Sequence, residues 1–457
     1  MFKIRGIVEG FYGRPWTWTE RSDLIGESAK WGYNLYIYAP KADPLHRNRW
    51  REAYPADFKH EFKSLVELGK EVDLDVSMAI SPGLSLVYSS DQDFETLKSK
   101  YLLFSQMGVR TISLFLDDIP ENLVHEADRV KFKSLAHAQA AFSNRLFEAL
   151  NEKIEDMRFI VCPTIYHGKK TTNYHETLGD LLNDKIKIMW TGPAVCSKEI
   201  SAGDAEKIAR AYKRPPLYWD NYPVNDSVMV PELHLGAYTG RDPELVKLSE
   251  GIVINPMNQA YASMIELGII GQYLMNPEGF EPERTLDRYI EERYPDIARD
   301  MEHFIRANEK SPLHPDDPEI TGELLMKLKA KWDNGKLDEL SAILEDESKD
   351  IVSAHKNISK GLDPKTKADI EPWLEEYKTY GNMLKAASGA LREIKIVYLD
   401  EIPSKEKIES INAMNEAFEK QISAVAIFDT SIFGSSVRNF LTDLLKTCKG
   451  FLKLVDY

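Results

Sequence analysis

Two adjacent carboxylates close an apolar run in Leu114-Phe115-Leu116-Asp117-Asp118-Ile119-Pro120, and Pro120 stops the run from continuing as a strand. Like charges held side by side cannot both ionise easily. The pair therefore predicts one carboxyl raised into service as a proton donor and one that stays charged, the division of labour that glycoside hydrolysis requires. A helix N-cap, a salt bridge or a divalent-metal pair would also explain a bare Asp-Asp. The metal is the weakest of these, because no His-x-Asp or third acidic ligand stands near. Spacing restricts the mechanism further. Glycosidases that use two flanking carboxylates hold them about 5–5.5 Å apart when retaining and about 6.5–9.5 Å apart when inverting, on opposite sides of the sugar. Neighbours at one strand end suit a substrate-assisted route instead. There a 2-acetamido carbonyl of the substrate attacks, one Asp orients and deprotonates the amide N–H, and the other protonates the leaving oxygen.

Such a pair needs a scaffold that gathers partners around it. Short β-branched or aromatic runs alternate with amphipathic stretches over the first 275 or so residues, the pattern of βα units. Strands are expected at Ile4 to Val8, Asn34 to Tyr38, Asp75 to Ala79, Thr111 to Leu116, Phe159 to Cys162, Ile186 to Trp190, Leu217 to Asp220 and Ile252 to Asn255. Helices are expected between them, at Thr19 to Trp31, Asp57 to Glu71, Asp91 to Met107 and Val130 to Asn151 among others, the first opened by a capping box from Thr17 to Glu20. Eight such repeats predict a (β/α)8 TIM barrel. An open doubly wound sheet is the runner-up, but Gly-Phe-Tyr-Gly-Arg-Pro after the first strand is not its GxGxxG turn.

A barrel carries its active site at the C-terminal strand ends. In chain order those ends hold Glu9, Gly10, Phe11 and Tyr12, then Lys41, then Ser81, Pro82 and Gly83, then Asp117 and Asp118. Tyr166, Thr191, Asn221, Asp226 and Asn255 follow. Carboxylates, amides, a lysine and aromatics suit a sugar, whose hydroxyls take polar contacts and whose ring face rests on aromatics.

Composition changes near residue 280. Only Trp332 and Trp373 of the 8 Trp lie beyond it, and long charged stretches there carry apolar residues at helical spacing, such as Leu324, Leu325, Leu328 and Trp332. An all-α helical bundle is expected over 280–457, after a barrel over 1–279. Its helices are Leu286 to Asn308, Glu319 to Trp332, Leu337 to Leu362, Lys365 to Tyr398, Lys405 to Phe428 and Ser435 to Val455. A formal net charge of −15 argues against nucleic acid or an anionic membrane as the partner. Cys162, Cys196 and Cys448 form neither a disulfide framework nor a zinc pattern, and the N-terminal residues lack a secretory apolar stretch, so a cytoplasmic protein is expected.

Gly6-Ile-Val-Glu-Gly-Phe-Tyr-Gly-Arg-Pro-Trp16, Tyr38-Ala-Pro-Lys41, Ala79-Ile-Ser-Pro-Gly83, Asp117-Asp118, Cys162-Pro-Thr-Ile-Tyr166, Trp190-Thr-Gly-Pro193 and Trp219-Asp-Asn221 resemble glycoside hydrolase family 84, the O-GlcNAcase family. The resemblance runs in order from about residue 4 to 275. It implies a retaining β-N-acetylglucosaminidase that acts through an oxazoline intermediate without cofactor or metal. Asp117 would assist the acetamido group and Asp118 would be the general acid/base. Gly10, Lys41 and Asn255 would contact sugar hydroxyls, Asp226 the outer ones, and Tyr166, Cys162 and Trp219 would line the acetamido pocket with Asn221 nearby. The implied substrate is a GlcNAc-bearing protein, peptide or glycan. Hexosaminide oligosaccharides such as hyaluronan fragments, and an inactive GlcNAc-binding scaffold, are the competing readings. In some members the helical region builds a homodimer, which stays open for this chain. One position departs from the family: Ser227 follows Asp226, where an aromatic is usual.

Overall fold

The computed structural model describes residues 1–399 and 404–455. Eight parallel strands close on themselves: β1 (Ile4–Glu9), β2 (Leu35–Tyr38), β3 (Asp75–Ile80), β4 (Thr111–Phe115), β5 (Arg158–Cys162), β6 (Ile186–Trp190), β7 (Leu217–Asp220) and β8 (Gly251–Ile254). The closing register pairs Ile4 with Gly251 and Ile7 with Ile254, so no strand edge is left unpaired. Strand residues are almost all buried, because one face fills the barrel and the other meets the helices. Val8, Ile37, Phe115, Ile160, Met189, Leu217, Trp219 and Val253 join one apolar cluster inside.

The first helix runs Trp18–Lys30 and carries the expected capping box. The Thr17 hydroxyl accepts from Glu20 N, and the Glu20 carboxylate accepts from Thr17 N. Helices at Ala56–Glu71 and Asp91–Gln106 also lie where the periodicity puts them. The single helix expected over Val130 to Asn151 is two, Glu126–Lys131 and Leu135–Asn151. Phe132 takes extended dihedrals, and the Ser134 hydroxyl accepts from His137 N, so a fresh N-cap interrupts the apolar pattern.

The chain divides into two compact units. One holds Met1–Ser227 and Ala237–Thr285, the other Val228–Gly236 and Leu286–Tyr457. No composition change marks the nine-residue excursion that groups with the second unit. That unit is helical: Ala298–Ala307, Glu319–Asp333, Leu337–Gly361, Pro364–Leu399, Lys405–Ala426 and Ser436–Val455 follow a helix at Pro282–Arg293. The expected helix from Leu286 to Asn308 breaks after Arg293, because Pro295 disfavours the helical conformation for Tyr294. Leu340, Leu344, Ile351, Ala354 and Ile358 are buried along Leu337–Gly361, and each of the leucines and isoleucines contributes on the order of 2 kcal/mol of burial. Gly381 allows the long helix to approach it, since a Cβ there would stand 2.8 Å from Ile351 Cγ2. Among the described residues, no helix is long and apolar enough to cross a membrane.

Candidate active site

Most of the residues expected from the strand ends converge on one cavity of about 420 Å³ at the C-terminal mouth of the barrel, but Glu9, which pairs with buried Arg21, and Phe11, Ser81, Pro82 and Gly83 do not line it. Gly10, Lys41, Asp117, Asp118, Cys162, Tyr166, Trp219, Asn221, Asp226 and Asn255 line it. Tyr12, Thr191, Val195, Cys196, Val224 and Ser227 complete the wall.

The carboxylate pair emerges from β4. Leu116 N donates to Cys162 O, which carries the strand register to its last residue, and Asp118 then turns into the left-handed region at φ 52°. Asp tolerates that conformation better than most residues. Asp117 is buried, while the Asp118 side chain is 31% exposed, so the two carboxylates sit at different depths. Lys41, delivered by the loop after β2, inserts between them. Its ammonium pairs with Asp117 Oδ2 and lies 3.8 Å from Asp118 Oδ2. Burial pushes the Lys41 pKa down, but the two carboxylates outweigh it and hold the group above the ordinary lysine value.

The sequence predicts a carboxyl raised by its neighbour, and the structure corrects this for Asp118. Burial pushes Asp118 up, yet Lys41 and the hydroxyls of Tyr12 and Tyr166 outweigh it, so its pKa lies below the usual carboxylate value. Tyr12 OH donates to Asp118 Oδ2 at 2.7 Å and Tyr166 OH to Oδ1 at 2.8 Å. An inserted cation has cancelled the like-charge repulsion. Asp117 differs in kind: its Oδ1 is buried and accepts no hydrogen bond. A buried carboxylate oxygen without a donor is costly, and it suits an N–H supplied from the cavity.

The opposite wall is a polar frame. Asn221 Oδ1 accepts from Trp219 Nε1 and from Asn255 Nδ2, each at 2.8 Å, and Asn255 Oδ1 accepts from Gly10 N at 3.2 Å. Asp220, between Trp219 and Asn221, is held by both nitrogens of a buried Arg241 fork and by Tyr238 OH. That fixes the β7 end from behind. Tyr12 N donates to Asp226 Oδ2 at 2.7 Å, which ties the loop after β1 to the loop after β7. Burial, reinforced by Asp117, pushes the Cys162 thiol far up, so it packs as a neutral group. Burial likewise pushes Cys196 up to about 12.

Gly10 is required by close approach. A Cβ there would overlap the Trp219 ring, with Cη2 at 2.8 Å. Gly10→Ala is therefore expected to displace the ring into the cavity and lower kcat/KM about 100-fold, the cost of an ångström-scale misplacement. Steady-state kinetics checks this, and an unchanged kcat/KM would show that Trp219 yields elsewhere.

Strand-end reasoning missed Arg47, which sits behind Tyr12, and the wall residues Val195, Cys196 and Val224. Arg47 lies in a turn-rich stretch with no periodicity to aim it. Val195 contributes a carbonyl, which accepts from Asn221 Nδ2, and no side-chain pattern could announce that. Among the described residues, no grouping of three or more His, Cys, Asp or Glu side chains could hold a metal ion.

A family model described as beta-N-acetylglucosaminidase matches residues 5–306. The chain belongs to this family, glycoside hydrolase family 84. Relatives of this family member include the Protein O-GlcNAcase of Rattus norvegicus and that of Mus musculus. Each is 38% identical over 268 residues, which is 57% of this chain and 29% of theirs. The matched region thus spans under a third of those relatives. Among solved structures, a variant of the Thermobaculum terrenum O-GlcNAc hydrolase superposes with a TM-score of 0.92 at 36% identity, covering 98% of this chain and 95% of that one. CpGH84B superposes at 0.84 and 27% identity, covering 97% and 77%. The family's fold, a barrel with a helical region, is that of this chain.

Proposed function

We propose that this glycoside hydrolase removes terminal β-linked GlcNAc from protein or peptide hydroxyls with retention, and that the sugar's own acetamido carbonyl is the nucleophile. The unpartnered Asp117 Oδ1, beside a carboxylate held at the cavity mouth, carries the proposal. Asp117 takes the acetamido N–H, which turns the carbonyl oxygen toward C1. That oxygen attacks, the glycosidic bond breaks, and Asp118 gives its proton to the departing oxygen. The amide proton passes to Asp117, leaving an oxazoline. Asp118, now a base, takes a proton from water as water opens the ring from the face the leaving group vacated. Lys41 offsets the negative charge of Asp117 throughout.

Asp118 starts this cycle anionic, and substrate entry loads it. A sugar that fills the cavity expels water, which strengthens the upward push that burial already exerts on the carboxyl. Gly10, Asn255 and Asp226 are positioned for ring hydroxyls, with Tyr166, Cys162, Trp219 and Asn221 around the acetamido group. Ser227, with φ at 57°, replaces a bulky wall with a small hydroxyl on the leaving-group side, which favours a broad aglycone such as a polypeptide. A net charge of −15 disfavours polyanionic hyaluronan. We place the catalytic unit in residues 1–279 and the enzyme in the cytoplasm, where three free cysteines persist. Incubation with an O-GlcNAc peptide, chitobiose and a hyaluronan fragment, in EDTA, tests the reading. Free GlcNAc is expected from the peptide; release from the oligosaccharides alone would overturn it.

A further inference from the structure

Behind the cavity, Arg47 makes two contacts that converge on one residue. Its Nη1 donates to Tyr12 OH at 2.8 Å, and Tyr12 OH donates on to Asp118 Oδ2 at 2.7 Å. Its Nη2 donates to the backbone oxygen of Asp118 at 3.2 Å. The guanidinium thus holds both ends of Asp118, the peptide in its left-handed conformation and the carboxylate through a phenol. Arg47 is largely buried.

Tyr12 stands on a pinned stretch of backbone. Its N–H is bound by Asp226, and its carbonyl accepts from Asn258 Nδ2 at 3.0 Å. The loop is anchored again at Trp16, whose N–H donates to Glu9 Oε1 and whose indole donates to Asn258 O. With that backbone pinned and the Lys41 and Arg47 cations 5.8 and 5.6 Å from the ring centroid, the hydroxyl proton is what remains to be oriented. An arginine donating to the phenol oxygen forces that proton toward Asp118 and strengthens the bond it makes.

We propose that Arg47 is a positioning residue for proton donation: through Tyr12 and the Asp118 carbonyl it fixes the angle at which the carboxyl meets the glycosidic oxygen. This rests on the reading of Asp118 as general acid. Arg47 stands outside the cavity wall and acts only through these two groups. Lysine cannot replace it fully, because one ammonium does not reproduce a fork that reaches two acceptors on different loops.

The groups that face Asp118 are Lys41 and Arg47 from the loop after β2, Tyr12 from the loop after β1, Cys162 at the end of β5, Tyr166 from the loop after it, and Asp117 beside it. Arg47 is one of the influences that hold the Asp118 pKa down. Its removal must therefore move the alkaline limb of kcat/KM, where the acid loses its proton, to higher pH.

The test uses the full chain, with wild type, Arg47→Met, Arg47→Lys and Tyr12→Phe, on aryl β-GlcNAc substrates with good and poor leaving groups. With poor leaving groups Arg47→Met is expected to lose about 10- to 100-fold in kcat, with good ones less than about threefold, and KM should hardly change, since the loss is confined to proton transfer. Arg47→Lys should recover part of the loss. The double variant of Arg47→Met and Tyr12→Phe should be less impaired than the product of the single losses. Equal losses across leaving groups, an unmoved alkaline limb, or multiplicative effects in the double variant would overturn the proposal while leaving the hydrolase reading intact. Should Arg47→Met fail to fold, Arg47→Lys and Tyr12→Phe carry the same comparison. A wild type inactive on every aryl β-GlcNAc would end the hydrolase reading and this one together.

Discussion

Asp118→Asn is expected to cut kcat/KM on an O-GlcNAc peptide by about 10²–10⁴-fold, the usual worth of a positioned general acid, and to spare most of the rate on a dinitrophenyl glycoside. An alkoxide leaving from serine or threonine is too basic to depart without a proton, whereas dinitrophenolate departs unaided. Asparagine keeps the shape, and its Oδ1 can still accept from one of the hydroxyls of Tyr12 and Tyr166, which now donate to the two carboxylate oxygens, while its Nδ2 cannot accept from the other. It loses the transferable proton, the charge and one acceptor. A plot of log kcat/KM against leaving-group pKa should therefore steepen. On the proposed mechanism, opening of the oxazoline also needs Asp118 as base, so added azide should speed turnover of the good substrate. A slope identical to wild type would refute the acid role.

Asp117→Asn should lower the rate on every substrate by about 10²–10³-fold, whatever the leaving group, the scale of losing one preorganised group at the reacting centre. The amide N–H of the substrate would then meet a neutral partner. The Lys41 ammonium, whose side chain is only 2% exposed, would lose the charge that balances it. Parallel lines for wild type and Asp117→Asn in the same leaving-group plot would agree with this; a line that converges on wild type for activated substrates would not. Melting temperature tells the chemical effect from unfolding, because a buried lysine left half-paired should also destabilise the barrel.

The barrel was legible because most strands are short apolar runs that end in a polar residue, as at Leu116-Asp117 and Ile254-Asn255. Helices were legible except where a local signal interrupts a long pattern: Ser134 begins a new cap, and Pro295 ends a turn. Most of the cavity wall followed from strand order, since a closed parallel barrel brings every C-terminal end to one mouth, while Val195, Cys196 and Val224 come from farther along the loops. Two things stayed hidden. The acidity of Asp118 depends on Lys41, which lies 77 positions earlier and enters from another strand's loop, so an argument from adjacent charges alone has the wrong sign. Arg47 reaches Asp118 through a phenol and a carbonyl, and neither contact leaves a mark on residue spacing.

The central claim is that the substrate's acetamido oxygen is the nucleophile. Aryl β-glucosaminides with N-acetyl, N-fluoroacetyl, N-difluoroacetyl and N-trifluoroacetyl groups vary that oxygen's nucleophilicity with little change in size. If Asp117 aims this carbonyl at C1, log kcat falls steadily with each fluorine. A rate that does not change along the series would mean that an enzyme group or a water attacks instead, and would contradict the account.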